Sequence, residues 1–552
     1  MPSLGTTAEA VVDTLIDHGV DTVFAIPGAQ TYELVNALAA RQDRIRIIGG
    51  RHEQAVAYMA FGYAQATGEL GVVSVVPGPG LLNAGAALLT AYGESQPVLC
   101  IVGDVAAGAR GRGLGHVHEM PDQLATLRTL TKWASNIEHV SEASGVVAEA
   151  IARATSGRPR PVAVSIPRDT LAQRGPYRVT GPRPLPTPPV DKERIAAAAD
   201  ILATARNPMI MVGGGAREAR AEVAALAEYL QAATVAFRGG RGVVSDDSPL
   251  SFTSASGFER WADTDVLIGI GSRLELTWAR WPDRAPGLKV VNIDIDPEQA
   301  VRLTPDVALV GDAAETTKAL AEAVAARRGP APDRSAEFLA VKEGKAKEIE
   351  DLGPTIEFVR AIRAALPEDG FLVEEVSQVG FVSSFGFGVT APRQFITCGH
   401  QSTLGFGFPT ALGVQAAHPD RAVVSVSGDG GFMFGVQELA TAVQYDLPVV
   451  AVVFNNQAYG NVKLDLEGRY GADRAVGVDL HNPDFVALAE SFGADAYRID
   501  EGDGLQVAAA KLTRTTAQAV AKRRPAVIEV RCALGAGESP WKYLEPASRK
   551  GA

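Results

Sequence analysis

The sequence predicts an α/β protein built as three doubly wound parallel-sheet domains in succession. Three observations lead there. The chain has 552 residues, enough for three or four domains at about 150 residues each. Short β-branched runs alternate with amphipathic stretches along its whole length, the pattern of parallel strands joined by crossover helices. Two linker-like stretches, the proline-rich 176–189 and the charged 327–354, cut that alternation into blocks of similar size. The expected domains are 1–180, 190–330 and 350–552.

The elements follow in order. In the first block, apolar residues at helical spacing predict a helix over 7–18, and a β-branched run predicts a strand over 22–26. A second helix is expected over 51–67, then strands over 70–76 and 98–102. In the second block, 208–212, 266–270 and 290–295 read as strands with helices between them. In the third, 422–427 and 449–454 read as strands, and 436–445 as the helix that crosses between them. No fixed-period self-similarity runs through the chain, which excludes a solenoid.

Composition narrows the function. Apolar residues make up 46% and charged residues 21%, ordinary for a soluble globular protein. Lys and Arg number 52 against 64 Asp and Glu, a formal net charge of −12, which disfavours a nucleic-acid partner. The longest apolar runs, such as 447–454, are strand-sized and far below the roughly 20 residues that cross a bilayer, so no membrane association is expected. No basic start followed by an apolar core marks a signal peptide. Cys100, Cys398 and Cys532 lie far apart, with neither disulfide nor metal spacing, and a reducing cytoplasm is expected.

The most informative stretch lies in the third block. The strand 422–427 runs into Gly428-Asp429-Gly430-Gly431, and the strand 449–454 runs into Asn455-Asn456. A crossover between them makes the strands parallel, so Asp429 and Asn456 both fall at carboxyl ends, where open α/β sheets bind ligands. Asp429 offers a carboxylate, Asn456 an amide oxygen and the chain after it a backbone carbonyl. Such a set suits Mg²⁺, which completes its shell with phosphate oxygens and water. Gly428, Gly430 and Gly431 let backbone N–H groups approach a phosphate at a helix N-terminus. Either motif alone is an ordinary turn; the pair, 27 residues apart in one strand–helix–strand unit, reads as a site for a metal-bridged diphosphate.

With these two motifs the chain resembles the thiamine-diphosphate-dependent enzymes, in particular the acetolactate synthase and 2-oxo acid decarboxylase group. The block order is similar to the family's pyrimidine-binding, central and diphosphate-binding domains. The resemblance implies thiamine diphosphate and Mg²⁺ as cofactors, with Asp429, Asn456 and the carbonyl of Ala458 as metal ligands. Ser377 and Gln378 fall on the family's first diphosphate-contacting loop, and Tyr459 and Gly460 follow the metal ligands in its cofactor-binding stretch. Pro27, in Ile26-Pro27-Gly28, and Asn83, closing Pro77-Gly78-Pro79-Gly80-Leu81-Leu82-Asn83, fall in segments similar to the pyrimidine-binding domain.

Glu53 heads the expected second helix, where the helix dipole already favours a carboxylate. The resemblance adds a catalytic role: the family's glutamate falls on Glu53, where it holds a proton at the pyrimidine N1′ and so activates the thiazolium carbon. Leu404 falls on the family's bulky apolar wedge between the cofactor rings, and the Ser402 carbonyl on the acceptor of the 4′-amino group. Read without the family, Leu404 is a core leucine. In relatives of this kind the glutamate and the metal site come from different subunits, so a homodimer or homotetramer with the active site at the subunit interface is expected.

The resemblance implies a 2-oxo acid substrate that loses CO₂. The product either takes a proton, giving an aldehyde, or joins a second carbonyl. His116 and His118 stand in a glycine-rich loop where decarboxylases of the group carry adjacent histidines and acetolactate synthases carry Phe-Gln-Glu; this chain has Val117-His118-Glu119. A histidine there suits acid–base work, and a solvated loop histidine is the plain alternative. Asp465 stands where the synthases carry an acceptor-choosing tryptophan, and Val379 where a histidine is common. Lys463 reads either as an anion partner or as a solvated lysine, and residues 537–542 either as a lid or as packing. Gly213-Gly214-Gly215 lacks the dinucleotide fingerprint, yet relatives hold FAD in this domain near the positions of Arg273 and Asp294, so FAD stays undecided. Three readings are open: an acetolactate-synthase-like enzyme that decarboxylates and ligates, a simple decarboxylase, and a non-catalytic or flavin-holding paralogue.

Overall fold

The protein is described from a computed structural model covering residues 3–183, 186–500, 502, 504–533 and 539–548. Three six-stranded sheets carry the chain, and every neighbouring pair of strands within them is parallel. The first runs in spatial order Arg46–Gly49, Thr22–Ala25, Gly71–Val75, Val98–Asp104, Val162–Pro167, Trp133–Asn136. The third runs Phe395–Ile396, Phe371–Glu374, Val423–Gly428, Val450–Asn455, Ala526–Arg531, Asp495–Asp500. Counted within each sheet, both orders are 2-1-3-4-6-5. The first and third blocks are thus two copies of one topology. The central sheet differs: Ser251–Phe252, Ala233–Ala236, Pro208–Val212, Val266–Ile270, Lys289–Asp294 and Val307–Val310 give 3-2-1-4-5-6, the dinucleotide-fold order. A short antiparallel pair, Ser3–Thr6 with Arg174–Tyr177, ties the start of the chain to the end of the first block.

Local chemistry explains the element ends. Helix Thr7–Asp17 opens with a capping box in which Thr6 Oγ1 accepts from Glu9 N–H and Glu9 Oε2 from Thr6 N–H. Helix Glu53–Thr67 starts two residues later than the periodicity suggests, because His52 Nδ1 caps it by accepting from Gln54 N–H. It stops at Gly68, whose φ of 84° suits glycine alone. The expected crossover helix 436–445 is broken in two. A short helix, Asp429–Met433, begins directly at the strand end, and a tighter turn at Val436–Glu438 leads into Leu439–Gln444. The charged stretch read as part of a linker contains the helix Ser335–Glu348. Its Phe338 is buried in the central core and meets the edge of Phe252 at 5.3 Å.

One helix pair joins the first and third blocks. Helix Glu53–Thr67 lies against Gly407–Ala417, and both are apolar on nearly every face. Their backbones come close because glycines sit at the crossing. A Cβ on Gly413 would lie 1.9 Å from the Met59 carbonyl oxygen, and one on Gly62 2.2 Å from that of Thr410. Phe406 meets Tyr58 and Phe61 edge-on at 5.4 and 5.5 Å, contacts worth roughly 0.5–1.5 kcal/mol each beyond their buried area. Among the described residues, no helix is long and apolar enough to cross a membrane.

Candidate active site

In the third sheet Gly428 is in register with Phe454, so Asp429 and Asn456 emerge from adjacent parallel strands on the same edge. Asp429 is buried and begins the short helix, while Asn456 is half-buried. Gln457, at φ 56°, turns the chain so that Ala458 faces back toward the strand ends, where it bridges Asp479. Burial pushes the Asp429 carboxyl above its ordinary value; Asn482 and the backbone N–H groups of Gly430, Gln457 and Ala458 pull the other way. No cluster of three or more His, Cys, Asp or Glu suited to a metal occurs among the described residues. The donor set at this edge is instead a buried carboxylate, an amide oxygen and a carbonyl, which fits Mg²⁺ shared with a diphosphate.

A cavity of about 270 Å³ opens beside these strand ends. Ser377, Gln378, Ser402, Leu404, Gly428, Asp429, Gly430, Gly431, Asn456, Ala458, Tyr459 and Gly460 all line it, gathering the third block's expected site residues from four separate segments. Ser377 caps helix Gln378–Gly386, its Oγ accepting from Gly380 N–H at 3.0 Å, so that helix points its N-terminus into the cavity. Leu404 is only partly buried and borders the free space. Ser402 sits in the left-handed region at φ 47°. A Cβ on Gly431 would lie 2.1 Å from Glu375 Oε1, and one on Gly430 2.6 Å from the Tyr459 ring, so close packing requires both glycines.

Pro27, Glu53, Asn83, His116 and His118 do not line that cavity. Four of them form a second group on the first block. Asn83 Nδ2 donates to Glu53 Oε2 at 2.9 Å. Glu53 Oε1 has no hydrogen-bond partner among the described residues and faces Gly80. The His118 carbonyl lies against Gly78, in the same turn, and its Nδ1 donates to Gln30 Oε1 at 3.0 Å. Pro27 is exposed on the neighbouring loop three residues before Gln30, and His116 is exposed to solvent. Lys463 is paired with Asp479 at 2.6 Å.

Three site residues escaped the sequence reading. Asn482 Nδ2 donates to both Asp429 Oδ2 and Asn455 Oδ1. Glu529, buried, accepts from Asn455 Nδ2 at 2.8 Å and from Arg498 at 2.6 Å. Glu375 lies behind the glycine turns. Asn482 and Glu529 belong to no spaced motif, and Glu375, two residues before Ser377 in the diphosphate-loop stretch, was not singled out there; each comes from a different strand or loop. Of the 537–542 segment, residues 537 and 538 lie outside the described residues. Trp541 packs on Phe381 at 5.1 Å, against the helix that Ser377 caps.

A second cavity, of about 720 Å³, lies at the carboxyl ends of the central sheet, where the strand order reverses. Arg158, Arg217, Arg238, Arg273 and Asp294 line it. Burial pushes the Arg217 guanidinium down to about 10 and the Asp294 carboxyl up to about 6. Gly213 has a packing role: its Cβ would lie 2.3 Å from the Gly271 carbonyl oxygen.

Known proteins accord with this geometry. A model described as thiamine pyrophosphate enzyme, C-terminal TPP binding domain, matches residues 375–530; the corresponding N-terminal TPP binding and central domain models match 5–126 and 195–320. A probable 2-ketoarginine decarboxylase of Pseudomonas aeruginosa is 35% identical over 91% of this chain and 90% of its own length. The acetolactate synthase large subunit of Haemophilus influenzae is 31% identical over 90% of each chain. The isozyme 3 large subunit of Escherichia coli is 32% identical over 88% of each. The chain belongs to the thiamine pyrophosphate enzyme family, in its acetolactate synthase and 2-oxo acid decarboxylase group, and takes thiamine diphosphate as its cofactor.

Proposed function

We propose that this enzyme decarboxylates a 2-oxo acid with a positively charged side chain, using thiamine diphosphate anchored by Mg²⁺ on Asp429, Asn456 and the Ala458 carbonyl. The observation that carries the cofactor placement is the cavity uniting those three residues with the Ser377 helix N-terminus and Leu404. When bound, the cofactor supplies a nucleophilic carbon and a sink for the electrons released with CO₂. The chain's own residues bind and orient it. The helix that Ser377 caps and the turn at Gly430-Gly431 would hold the diphosphate with backbone N–H groups, and Leu404 would pack against the rings. Glu53, steadied by Asn83, keeps Oε1 for a proton at the pyrimidine N1′.

Because Glu53 lies outside the cavity of its own chain, the complete site is assigned to a homodimer or a homotetramer built from such dimers. The face around Glu53 supports this. Leu82, Asn83, Ala86 and Leu89 form an exposed stripe along helix Pro79–Gly93. Met433, Phe434, Val462 and Leu464 are exposed near the cavity. Burying both sets in one interface would cover apolar surface and bring Glu53 to the partner's cofactor.

The charge of the substrate is inferred from Asp465. Asn461 and Val462 line the cavity, and Asp465 follows at helical spacings of four and three, on the same face of helix Gly460–Tyr470. It is exposed and has no ion-pair partner among the described residues. The relative named for 2-ketoarginine, whose substrate carries a guanidinium, supports a cationic tail. The acetolactate synthase relatives support carboligation as the second reading. CO₂ release from pyruvate and from a guanidinium-bearing 2-oxo acid, with identification of the organic product, tests both. Faster turnover of pyruvate with a ligated product would favour the synthase.

The arginine-lined central cavity suits a diphosphate-bearing nucleotide such as FAD. A purified protein without flavin absorbance excludes FAD there.

A further inference from the structure

Glu375 does not line the cofactor cavity, yet it joins the segments that do. It is completely buried. Oε1 accepts from Gly405 N–H at 2.6 Å, while Oε2 accepts from Ser427 Oγ at 2.7 Å and from Gly407 N–H at 3.2 Å. Its own carbonyl accepts from Ser377 Oγ at 3.3 Å. One side chain therefore ties together three stretches: 375–378, with the helix cap; 402–407, with Leu404; and 427–431, with Asp429. Their shapes agree. Gly407 and Gly431 lack the Cβ atoms that would strike this carboxylate.

The physical chemistry favours a rigid strut. Hydrogen bonds to a charged acceptor away from water are among the stronger ones in a protein, and a buried network is rigid when every member is satisfied. An apolar residue here would leave the Gly405 and Gly407 N–H groups unpaired, one in a turn that needs its present conformation and the other at the start of helix Gly407–Ala417. Gly405 holds a φ of 79°. Burial pushes the Glu375 carboxyl up while the three donors favour the ionised form that can accept from all of them, and the balance leaves it raised to about 7.

We propose that Glu375 is a positioning residue for the cofactor: its two oxygens hold the Leu404 turn against Ser427, at the end of the strand that leads into Asp429, at a preset separation, so that wedge and metal-diphosphate site are formed before the cofactor arrives. This rests on the thiamine diphosphate site described above. The strut touches no reacting atom; its effect is on cofactor affinity and ring geometry.

Glu375→Gln is close to isosteric but presents an NH₂ where one of the donors needs an acceptor. Titration calorimetry with thiamine diphosphate at saturating Mg²⁺ is expected to show affinity reduced by about ten-fold or more. In steady-state assays the apparent KM for cofactor should rise more than kcat falls. Glu375→Asp should recover part of the affinity, and Ser427→Ala, which leaves the charge in place, should lose about three-fold. A Glu375→Gln protein that melts like wild type without cofactor and binds it with unchanged affinity overturns the proposal. If that variant does not fold, unchanged affinity in Ser427→Ala overturns it. Failure of wild type itself to bind thiamine diphosphate with Mg²⁺ removes the cofactor site as well, and the strut with it.

Discussion

Asn482 donates its side-chain N–H to Asp429 Oδ2 at 2.6 Å from a loop 53 residues further along the chain. The same amide reaches Asn455 Oδ1 at 3.0 Å, so one side chain aligns the ends of both strands that carry the proposed metal ligands. Residues that orient a metal ligand typically account for about 10–100-fold in metal affinity. Asn482→Ala is therefore expected to raise the Mg²⁺ concentration for half-maximal activity by that factor while the fold persists. A Mg²⁺ titration of decarboxylation, with circular dichroism as the folding control, checks it.

Glu53→Gln should keep the cofactor bound, because the proposed diphosphate and metal contacts lie elsewhere, on the third block. Turnover should fall by at least about 100-fold, the lower end of what a positioned proton-transfer group contributes. Calorimetry and CO₂ release on the same preparation separate the two effects. Turnover close to wild type would refute the proton-holding role.

Asp465→Asn removes the charge without changing size. The KM for a guanidinium-bearing 2-oxo acid should rise about ten-fold, within the range for a hydrogen bond to a charged group, and the KM for pyruvate should stay nearly constant. Equal effects on both substrates would separate Asp465 from substrate charge.

Glu374 lies beside Glu375 but outside the cavity. Burial raises its carboxyl from the ordinary 4.5 to about 8, and Thr397 Oγ donates to it. The folded state therefore holds this proton over a range where the unfolded chain has released it. The stability from this difference is fully present below 4.5 and is lost as pH rises through about 8. Glu374→Gln should flatten that decline, so its melting temperature relative to wild type should climb between about pH 5 and pH 9. Glu375, raised to about 7, acts in the same direction and leaves a residual slope.

Gly413→Ala places a methyl 1.9 Å from the Met59 carbonyl oxygen at the crossing of the two apolar helices. Overpacking of this kind typically costs about 1–3 kcal/mol, and backbone cannot yield as a side-chain tip can. A lower melting temperature with little change in cofactor affinity per folded molecule is expected. An unchanged melting temperature would mean that the helices separate freely.

Much of the site was legible because its chemistry is local. Gly428-Asp429-Gly430 and Asn455-Asn456 each end a strand, and the crossover between them makes those strands parallel whatever else the chain does. Strand 208–212 and strand 266–270 were read to the residue, because continuous apolar runs mark fully buried parallel strands. The crossover helix was misread as one piece. Its apolar spacing continues through Val436–Gln444, while the change to a tighter turn at Val436–Glu438 leaves little trace in periodicity. Leu404 looked like any core leucine, and only the free space beside it distinguishes it.

The sequence alone determined the order of the three α/β blocks, the parallel strand unit of the third and the oxygen donors at its edge. Those depend on neighbours along the chain and on a two- or 3.6-residue period. Tertiary structure decided that Asn482 steadies Asp429, that Glu375 braces the turn at Gly405 and the strand end at Ser427, 30 and 52 residues away, and that Glu53 stands apart from the cavity of its own chain. Those contacts arise where separate strand ends and loops converge, and no periodic signal along the chain marks where they meet.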